Sequence, residues 1–182
     1  MIIWITGISA SGKTTLARAL IKKFKPSVPE MCLIDGDEIR ALFENDLDYD
    51  EAGRTEQIKR IQKLAKILDE QKLCVVVAAL YSHPELLEWN KENFSEYHEV
   101  YLNAPLSIVR ERDPKGLYAK ADAGKMECVV GLDVPWHEPI NSTLQIDVTE
   151  SSILEEMVKE VASVVPRLSL LSTKPSQSKA VA

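Results

Sequence analysis

Gly7-Ile8-Ser9-Ala10-Ser11-Gly12-Lys13-Thr14 follows a short apolar run, residues 2–5, and precedes an apolar pattern of helical spacing. The stretch satisfies G-x-x-x-x-G-K-[ST] in full, in the strand–loop–helix context of a phosphate-binding loop. Glycine lets successive backbone N–H groups face phosphate oxygens, and the amino-terminal end of the helix attracts an anion. A plain Gly/Ser turn would explain neither Lys13 nor the spacing. We predict that ATP is bound by Gly7, Ser9, Ala10, Ser11, Gly12, Lys13, Thr14 and Thr15.

The composition limits what the chain can be. With 182 residues, 45% of them apolar, one α/β domain with a sizeable core is expected. The net charge of −6 argues against nucleic acid or an anionic membrane as a partner, because both need clustered cations. The longest apolar run, residues 73–81, is too short to span a bilayer, and no charged leader precedes the first strand. We predict a cytoplasmic location.

Histidine and cysteine show no metal-binding pattern. The three histidines, His83, His98 and His137, have no ligand spacing with each other or with the cysteines, so no structural zinc site is predicted. Cys32 and Cys74 fall inside strand patterns, where a small apolar thiol packs well. We interpret both as core residues.

Two acids follow the second predicted strand, residues 31–34. The chain continues Asp35-Gly36-Asp37-Glu38-Ile39-Arg40, and the carboxyl ends of parallel strands share one edge of a sheet, so both acids should lie near the phosphate loop. Asp35 could orient magnesium, together with the Thr14 hydroxyl, or accept a proton from an attacking hydroxyl. Asp37 could hold a second acceptor hydroxyl, and Arg40 offers a planar fork for phosphate or sulfate. The alternative is an ordinary Asp-Gly turn with a helix cap.

A long helix is predicted over residues 54–71. Its apolar stripe is Ile58, Ile61, Leu64, Ala65 and Leu68. Arg54 and Gln57 continue this stripe at the amino-terminal end, which suggests a binding site at the edge of the core. A solvated first helical turn is the alternative.

The remaining elements define the fold class. Residues 73–80 are nearly all apolar and fit a central strand, and no acid ends that strand, which disfavours motor-type ATPases. The N-K-x-D guanine-binding motif of signalling GTPases is also missing. Further predicted elements are a helix at 85–94, a strand at 99–102, a helix from Pro105, a strand at 144–148, and a helix ending at Val165 that begins with a capping box at Ser152 and Glu155. Residues 120–130 show little periodicity.

These elements predict a P-loop NTPase-type three-layer α/β/α sandwich with a mainly parallel five-stranded sheet. Residues 1–166 would form one P-loop nucleotide-binding domain, and residues 167–182 a flexible tail. Within the first of these ranges, residues 110–118 combine the cations Arg110, Arg112 and Lys115 with Pro114 and Gly116. This combination is typical of a mobile lid over phosphates. A charged surface loop is the alternative.

The motifs together resemble those of the adenylylsulfate kinases. The resemblance covers about residues 2–150 and rests on five stretches in family order: residues 7–14, Asp35-Gly36-Asp37-x-x-Arg40, Arg54-x-x-Gln57-x-x-Arg60, Arg112-Asp113-Pro114-Lys115-Gly116-Leu117-Tyr118, and Gly131-Leu132-Asp133-x-Pro135-x-x-x-Pro139. It implies transfer of the ATP γ-phosphoryl group to the 3′-hydroxyl of adenylyl sulfate, with ATP and Mg²⁺ bound, and we also expect a homodimer.

The resemblance also implies roles for individual residues. Lys13 and Asp35 would be catalytic, Thr14 and Asp35 would bind magnesium, and Arg110 or Arg112 would help the loop to hold ATP. The acceptor nucleotide would contact Asp35, Asp37, Arg40, Arg54, Gln57, Tyr81, Lys115 and Leu132.

The chain departs from the family pattern at the acceptor base. Gln57 stands where the family has Asn, and two expected phenylalanines are missing from the neighbourhoods Ala79-Leu80-Tyr81-Ser82-His83-Pro84 and Cys128-Val129-Val130-Gly131. Each stacked base is worth roughly 1–3 kcal/mol, so the loss affects adenine binding most, although Tyr81 could replace one ring. Similar chains phosphorylate the 3′-hydroxyl of other nucleotides, such as cytidine diphosphoramidate, which is the first alternative. A non-catalytic nucleotide-binding regulator is the second.

Overall fold

The computed structural model describes residues 1–172. Along the chain it contains the following elements: β1 (Ile2–Thr6), α1 (Lys13–Phe24), β2 (Met31–Asp35), α2 (Gly36–Leu42), α3 (Glu51–Glu70), β3 (Cys74–Ala78), α4 (Pro84–Asn93), β4 (Tyr97–Asn103), α5 (Leu106–Arg112), α6 (Leu117–Asp122), β5 (Leu144–Asp147), α7 (Leu154–Val164) and α8 (Pro166–Ser172). No helix in this part of the chain has the length and apolar character needed to cross a membrane.

The five strands form one parallel sheet in the order β2-β3-β1-β4-β5. β1 and β3 lie inside the sheet, and every residue of both is buried, as their unbroken apolar runs predict. All strands are parallel, so their carboxyl ends, and the segments that follow them, meet at one edge. The site predicted from Gly7 to Thr14 and from Asp35 to Arg40 therefore lies at a single edge.

Helices cover both faces of the sheet. Alternate residues of β1 point to opposite sides, so that Ile3 and Ile5 pack with α1, α7 and α8, whereas Ile2 and Trp4 pack with α3 and α4. These two apolar layers make the three-layer α/β/α sandwich, and the predicted fold class is confirmed. Each layer fixes the start of one helix, α1 or α3, against the ligand edge.

Several local predictions need correction. α2 and α6 were not predicted, and α6 buries only Tyr118 of its six residues, too few to leave a periodic pattern. The capping box is wrong: Ile153 is the N-cap of α7 and has no side-chain cap, while Ser152 Oγ accepts a hydrogen bond from the Thr149 N–H at 2.8 Å. The start of the predicted tail is helical, as α8, with Leu168 fully buried. Residues 173–182 of that tail lie outside the described residues.

The two strand cysteines differ in burial. Cys74 is fully buried, which confirms it as a core residue, and burial raises the pKa of its thiol to about 11. Cys32 is half-buried and packs against the α3 layer, and burial raises its pKa as well. Both thiols are therefore protonated at neutral pH.

Candidate active site

A cavity of about 1070 Å³ lies at the carboxyl edge of the sheet. It brings together most of the residues predicted from the sequence, namely Ser9, Ala10, Ser11, Gly12, Lys13, Thr14, Thr15, Asp35, Asp37, Arg40, Arg54, Gln57, Tyr81, Arg112 and Lys115. Gly7, Arg110 and Leu132 are not among the residues that line it. Ligand sites for one small molecule commonly occupy about 300–1000 Å³, so this cavity slightly exceeds the size of a typical single-ligand site.

The loop between β1 and α1 forms one end of the cavity. Gly7 has a φ of 152°, and a Cβ there would lie 2.7 Å from the carbonyl oxygen of Leu102, so only glycine fits. Gly12, with a φ of 102°, is the N-cap of α1, which has no side-chain cap and no acidic residue in its first turn. The N–H groups at the start of α1 are therefore free to bind an anion.

Two side chains in this loop point to an anionic ligand. Ser11 Oγ is buried and is one of three buried side-chain polar atoms without a hydrogen-bond partner within residues 1–172. Lys13 is half-buried, and its Nζ donates to the Ile8 carbonyl oxygen at 2.8 Å. Desolvation lowers the pKa of Lys13 to about 8, although Asp37 and Asp35 act in the opposite direction. A phosphate chain would satisfy both groups, so the loop fits ATP.

Thr14 and Asp35 meet at the centre of the cavity. Thr14 Oγ1 donates to Asp35 Oδ2 at 2.6 Å, and the Asp37 N–H donates to Asp35 Oδ1 at 3.0 Å, which makes Asp35 the N-cap of α2. The helix cap that the sequence suggested as the alternative is therefore present. The bond from Thr14 also holds the Asp35 carboxylate against the phosphate loop. A hydroxyl beside a carboxylate is the oxygen set that Mg²⁺ prefers, so the two residues fit the predicted ion.

Asp37 follows Asp35 at the start of α2 and meets the predicted lid. Lys115 Nζ and Asp37 Oδ2 are 2.5 Å apart, in an ion pair that is largely exposed. Asp113 holds this segment, because its carboxylate accepts from the N–H groups of Leu117 at 2.7 Å and Ala119 at 3.0 Å. Only residues 113–116 separate α5 from α6, so the lid is a short turn between two helices. Its mobility stays a prediction.

The two lid arginines are separated. Arg112 lines the cavity and donates to the Thr149 carbonyl oxygen at 3.1 Å. Arg110 pairs with Asp122 at 3.1 Å, between α5 and α6. Of the two cations considered for ATP, the structure therefore places Arg112 in the cavity.

Arg40 and Arg54 form the far end of the cavity around Tyr49. Arg40 is 6% exposed, lies 4.3 Å above the Tyr49 ring, and donates to the Leu47 carbonyl oxygen at 2.6 Å. Arg54 lies 5.6 Å from the same ring and donates to the Cys128 carbonyl oxygen at 2.6 Å. Burial and the nearby Arg40 lower the pKa of Arg54, which is still charged at neutral pH. The pair makes a rigid cationic wall suited to an anionic acceptor.

Gln57 and Tyr81 are buried beside this wall. Gln57 Nε2 donates to the Gly36 carbonyl oxygen at 3.1 Å and so supports the Asp35–Asp37 turn. The Tyr81 hydroxyl donates to Glu51 Oε1 at 2.9 Å, and burial together with Glu51 raises its pKa to about 12. The Tyr81 ring is 2% exposed, so little of it is free to stack on a base.

Sequence reasoning missed three site residues. Tyr49 carries a detectable signal, as an aromatic residue in an acidic, turn-prone stretch between Arg40 and Arg54. Cys128 contributes its backbone carbonyl to Arg54, which no side-chain pattern reveals. Glu51 contacts Tyr81 because α3 begins three residues earlier than predicted.

Comparisons with known proteins show which family the chain is similar to. Residues 1–147 match the adenylylsulphate kinase family. An adenylyl-sulfate kinase from Pseudomonas aeruginosa is 38% identical over 89% of this chain and 83% of that protein. A cytidine diphosphoramidate kinase from Campylobacter jejuni is 34% identical over 87% of this chain and 92% of that protein. The structure of the Mycobacterium tuberculosis APS kinase with AMPPNP and APS superposes with a TM-score of 0.82 at 30% identity, covering 91% and 96% of the two chains.

Proposed function

Because this chain belongs to the adenylylsulphate kinase family, we propose that it transfers the γ-phosphoryl group of ATP to the 3′-hydroxyl of a nucleotide, with adenylyl sulfate as the first candidate acceptor. The observation that carries this proposal is the single cavity that runs from the phosphate loop, past Asp35, to Arg54. Two nucleotides can enter it from opposite ends and meet at Asp35. The Mycobacterium tuberculosis relative holds an ATP analogue and APS together, which supports this two-ligand arrangement.

The loop end would hold ATP. The N–H groups at the start of α1 and the Ser11 hydroxyl would bind the phosphate oxygens, and Lys13 would move from the Ile8 carbonyl to the β- and γ-phosphates. Thr14 and Asp35 would hold Mg²⁺, which neutralises charge on the phosphate oxygens when it is bound. Arg112 would contact ATP from the lid.

Asp35 would act at the reacting end of the acceptor. As the acceptor oxygen bonds to the γ-phosphorus, the bond to the β-phosphate oxygen breaks and ADP leaves. Asp35 is suited either to accept the hydroxyl proton or to orient Thr14, because both of its oxygens are fixed by hydrogen bonds. Asp37 and Lys115 would position the acceptor sugar or its anionic group.

The far wall would bind the rest of the acceptor. Arg40 and Arg54 are held by backbone carbonyls and by Tyr49, so their charges face an anionic acceptor with little loss of side-chain entropy. Gln57 would support the Asp35–Asp37 turn beside this wall through its bond to the Gly36 carbonyl oxygen. Leu132 and Arg110 contribute to neither end in this arrangement, since neither lines the cavity.

The wall where the base would lie lacks the stacking rings expected for adenine, so we also propose a second acceptor, cytidine diphosphoramidate. Leu80, Tyr81, Cys128, Val129 and Val130 line that part of the cavity, with Tyr81 turned towards Glu51 and no phenylalanine among them. An adenine there would lose roughly 1–3 kcal/mol for each missing stacked ring. The Campylobacter jejuni relative named for this second acceptor supports the same alternative.

The experiment that separates these acceptors is a turnover screen with Mg²⁺ and ATP. Adenylyl sulfate and cytidine diphosphoramidate are each supplied, ADP is followed by a coupled assay, and the 3′-phosphate is identified by phosphorus NMR. We expect one acceptor to exceed the other at least tenfold in kcat/KM. Lys13→Ala, with its fold verified by circular dichroism, should retain less than about a tenth of that rate. ADP formation that does not depend on any acceptor would contradict the kinase assignment.

We also propose a homodimer in a cytoplasmic setting, as the sequence and its family resemblance suggest. Light scattering coupled to size-exclusion chromatography tests the dimer directly. A mass of 20.4 kDa would correspond to one chain and would contradict it.

A further inference from the structure

Three metal-ligating side chains meet outside the cavity. Glu51 begins α3, His83 is the N-cap of α4, and His137 lies in the loop between α6 and β5. Each offers one donor atom, and these donors lie within 4.8 Å of one another. The two imidazole rings are 5.0 Å apart, centroid to centroid, with their planes inclined by 74°. No sequence motif indicates this cluster, because its members come from three distant segments.

One ring nitrogen of the two histidines is buried without a partner. His137 Nε2 is shielded from solvent and has no hydrogen bond to any residue in the described part of the chain. Buried polar atoms in folded proteins nearly always have a hydrogen-bond partner, so an unpaired one requires an explanation. A cation bound at His137 Nε2 would explain the unpaired atom, because the nitrogen lone pair would then coordinate the cation.

The surroundings hold the cluster in place before any ion binds. Ser82 Oγ donates to the His137 carbonyl oxygen at 2.5 Å, which fixes the loop beside β3. The Tyr81 hydroxyl donates to Glu51 Oε1 at 2.9 Å and leaves the other carboxylate oxygen available. The Tyr81 ring also lies 6.4 Å from the His83 ring and 6.2 Å from the His137 ring. Supporting bonds of this kind orient the ligands of a metal site.

We propose that Glu51, His83 and His137 form a binding site for a divalent transition metal of the zinc class. Two imidazoles and a carboxylate are a zinc ligand set, whereas the oxygen pair of Thr14 and Asp35 suits Mg²⁺. Ligand atoms around tetrahedral zinc lie about 3.3–3.5 Å apart, so donors up to 4.8 Å apart must close by at most about 1.5 Å, and the exposed Glu51 can move towards the histidines. His83 Nδ1 accepts only a long contact, 3.4 Å, from the Glu85 N–H, and giving it up would cost little.

The ion would link three segments around a wall of the cavity. It would join the start of α3, the start of α4 and the proline-rich loop, which is residues 131–139. All three segments contact Tyr81 or its neighbour Ser82. Metal binding would therefore stabilise the loop and fix the Tyr81 side of the cavity. This inference does not depend on which acceptor the enzyme uses.

The test is direct metal binding by tag-free protein that has been stripped with EDTA. Zn²⁺ affinity is measured against a chromophoric chelator, and Co²⁺ is added as a spectroscopic probe. We expect one equivalent of metal with a visible Co²⁺ band of tetrahedral or five-coordinate type. His83→Ala, His137→Ala and Glu51→Gln should each weaken binding at least tenfold. His98→Ala is the matched control, because His98 pairs only with the exposed Glu96 in the described structure.

A second measurement does not require the variants to fold. The chain has three histidines, so imidazole NMR of the wild-type protein should show Co²⁺ or Zn²⁺ shifting two of three ring signals and leaving the third unchanged. The proposal would be overturned if the metal shifted only the His98 signals or if no stoichiometric binding occurred. It would also be overturned if His98→Ala lowered the Zn²⁺ affinity as much as the His83 and His137 variants do. None of these readouts depends on kinase turnover, so they are independent of the proposed function.

Discussion

Raising the pH from 7 to 9 should weaken ATP binding about tenfold, because Lys13 loses its charge in the free protein over this range. Desolvation lowers the pKa of Lys13 to about 8, from an ordinary 10.5. The charged fraction of the free protein then falls from about 0.9 at pH 7 to about 0.1 at pH 9, a change worth about 1.4 kcal/mol in apparent affinity. A lysine with an ordinary pKa would leave affinity unchanged over the same range.

The bound state provides a second measure of the same effect. Phosphate oxygens beside Lys13 restore its charged form, so ATP binding at pH 8.5 should take up about 0.8 of a proton, against about 0.1 at pH 7. Isothermal titration calorimetry in buffers of different ionisation enthalpy reports this uptake directly. Fluorescent ATP analogues give the affinity across the same pH series.

Lys13→Met is the control for this reasoning. It removes the titrating group from the loop while Thr14 and Ser11 stay in place. Its affinity should be low and should not change with pH, because no other group in the loop titrates between pH 7 and 9. A wild-type affinity that is also constant from pH 7 to 9, or proton uptake that persists in Lys13→Met, would refute the assignment of the shift to Lys13.

Three further results are expected. Asp35→Asn should mainly lower kcat and Asp37→Asn should mainly raise the acceptor KM, because Asp35 is bonded to Thr14 of the phosphate loop whereas Asp37 pairs with Lys115. Steady-state kinetics with near-wild-type values for both variants would show that the Asp35–Asp37 stretch is only a turn. Residues 112–118 should exchange amide hydrogens more slowly with ATP analogue and acceptor bound, and equal exchange in the free and ternary states would contradict a lid. Gly53→Ala should destabilise the fold by about 1–3 kcal/mol in urea titrations, because the new Cβ would lie 2.2 Å from the Asp48 carbonyl oxygen. An unchanged urea midpoint would show that the loop containing Asp48 moves away without loss of stability.

The sequence predicted the catalytic edge because two strong constraints act together there. The spacing from Gly7 to Thr14 specifies a strand, a phosphate loop and a helix, and parallel strands bring Asp35 to the same edge. The apolar stripe of α3 likewise placed Arg54 and Gln57 at the cavity. A fixed spacing or a repeating apolar pattern determines which side of an element faces the core. The positions of the polar residues at the end of that pattern can then be predicted as well.

Contacts made between irregular segments were not predictable in this way. The stacking of Arg40 on Tyr49 depends on the path of a loop, and the bond from Arg54 to the Cys128 carbonyl uses a group that every residue has. His83 and His137 are brought together only by the fold of the proline-rich loop. No spacing rule applies across such distances, so the interpretation of the histidines as unrelated missed their contact.

The position of β1 at the middle of the sheet also affects how the chain folds. Ile2 pairs with Val75 on one side and with Tyr97 on the other, so β1 has no partner strand until more than seventy further residues have been synthesised. A ribosome adding roughly 5–20 residues per second needs roughly 4–14 s for that length. During this time an apolar segment containing Trp4 stays exposed, and the sheet closes only through long-range contacts, which fold slowly. We therefore expect β1 to be the segment that chaperones bind during synthesis.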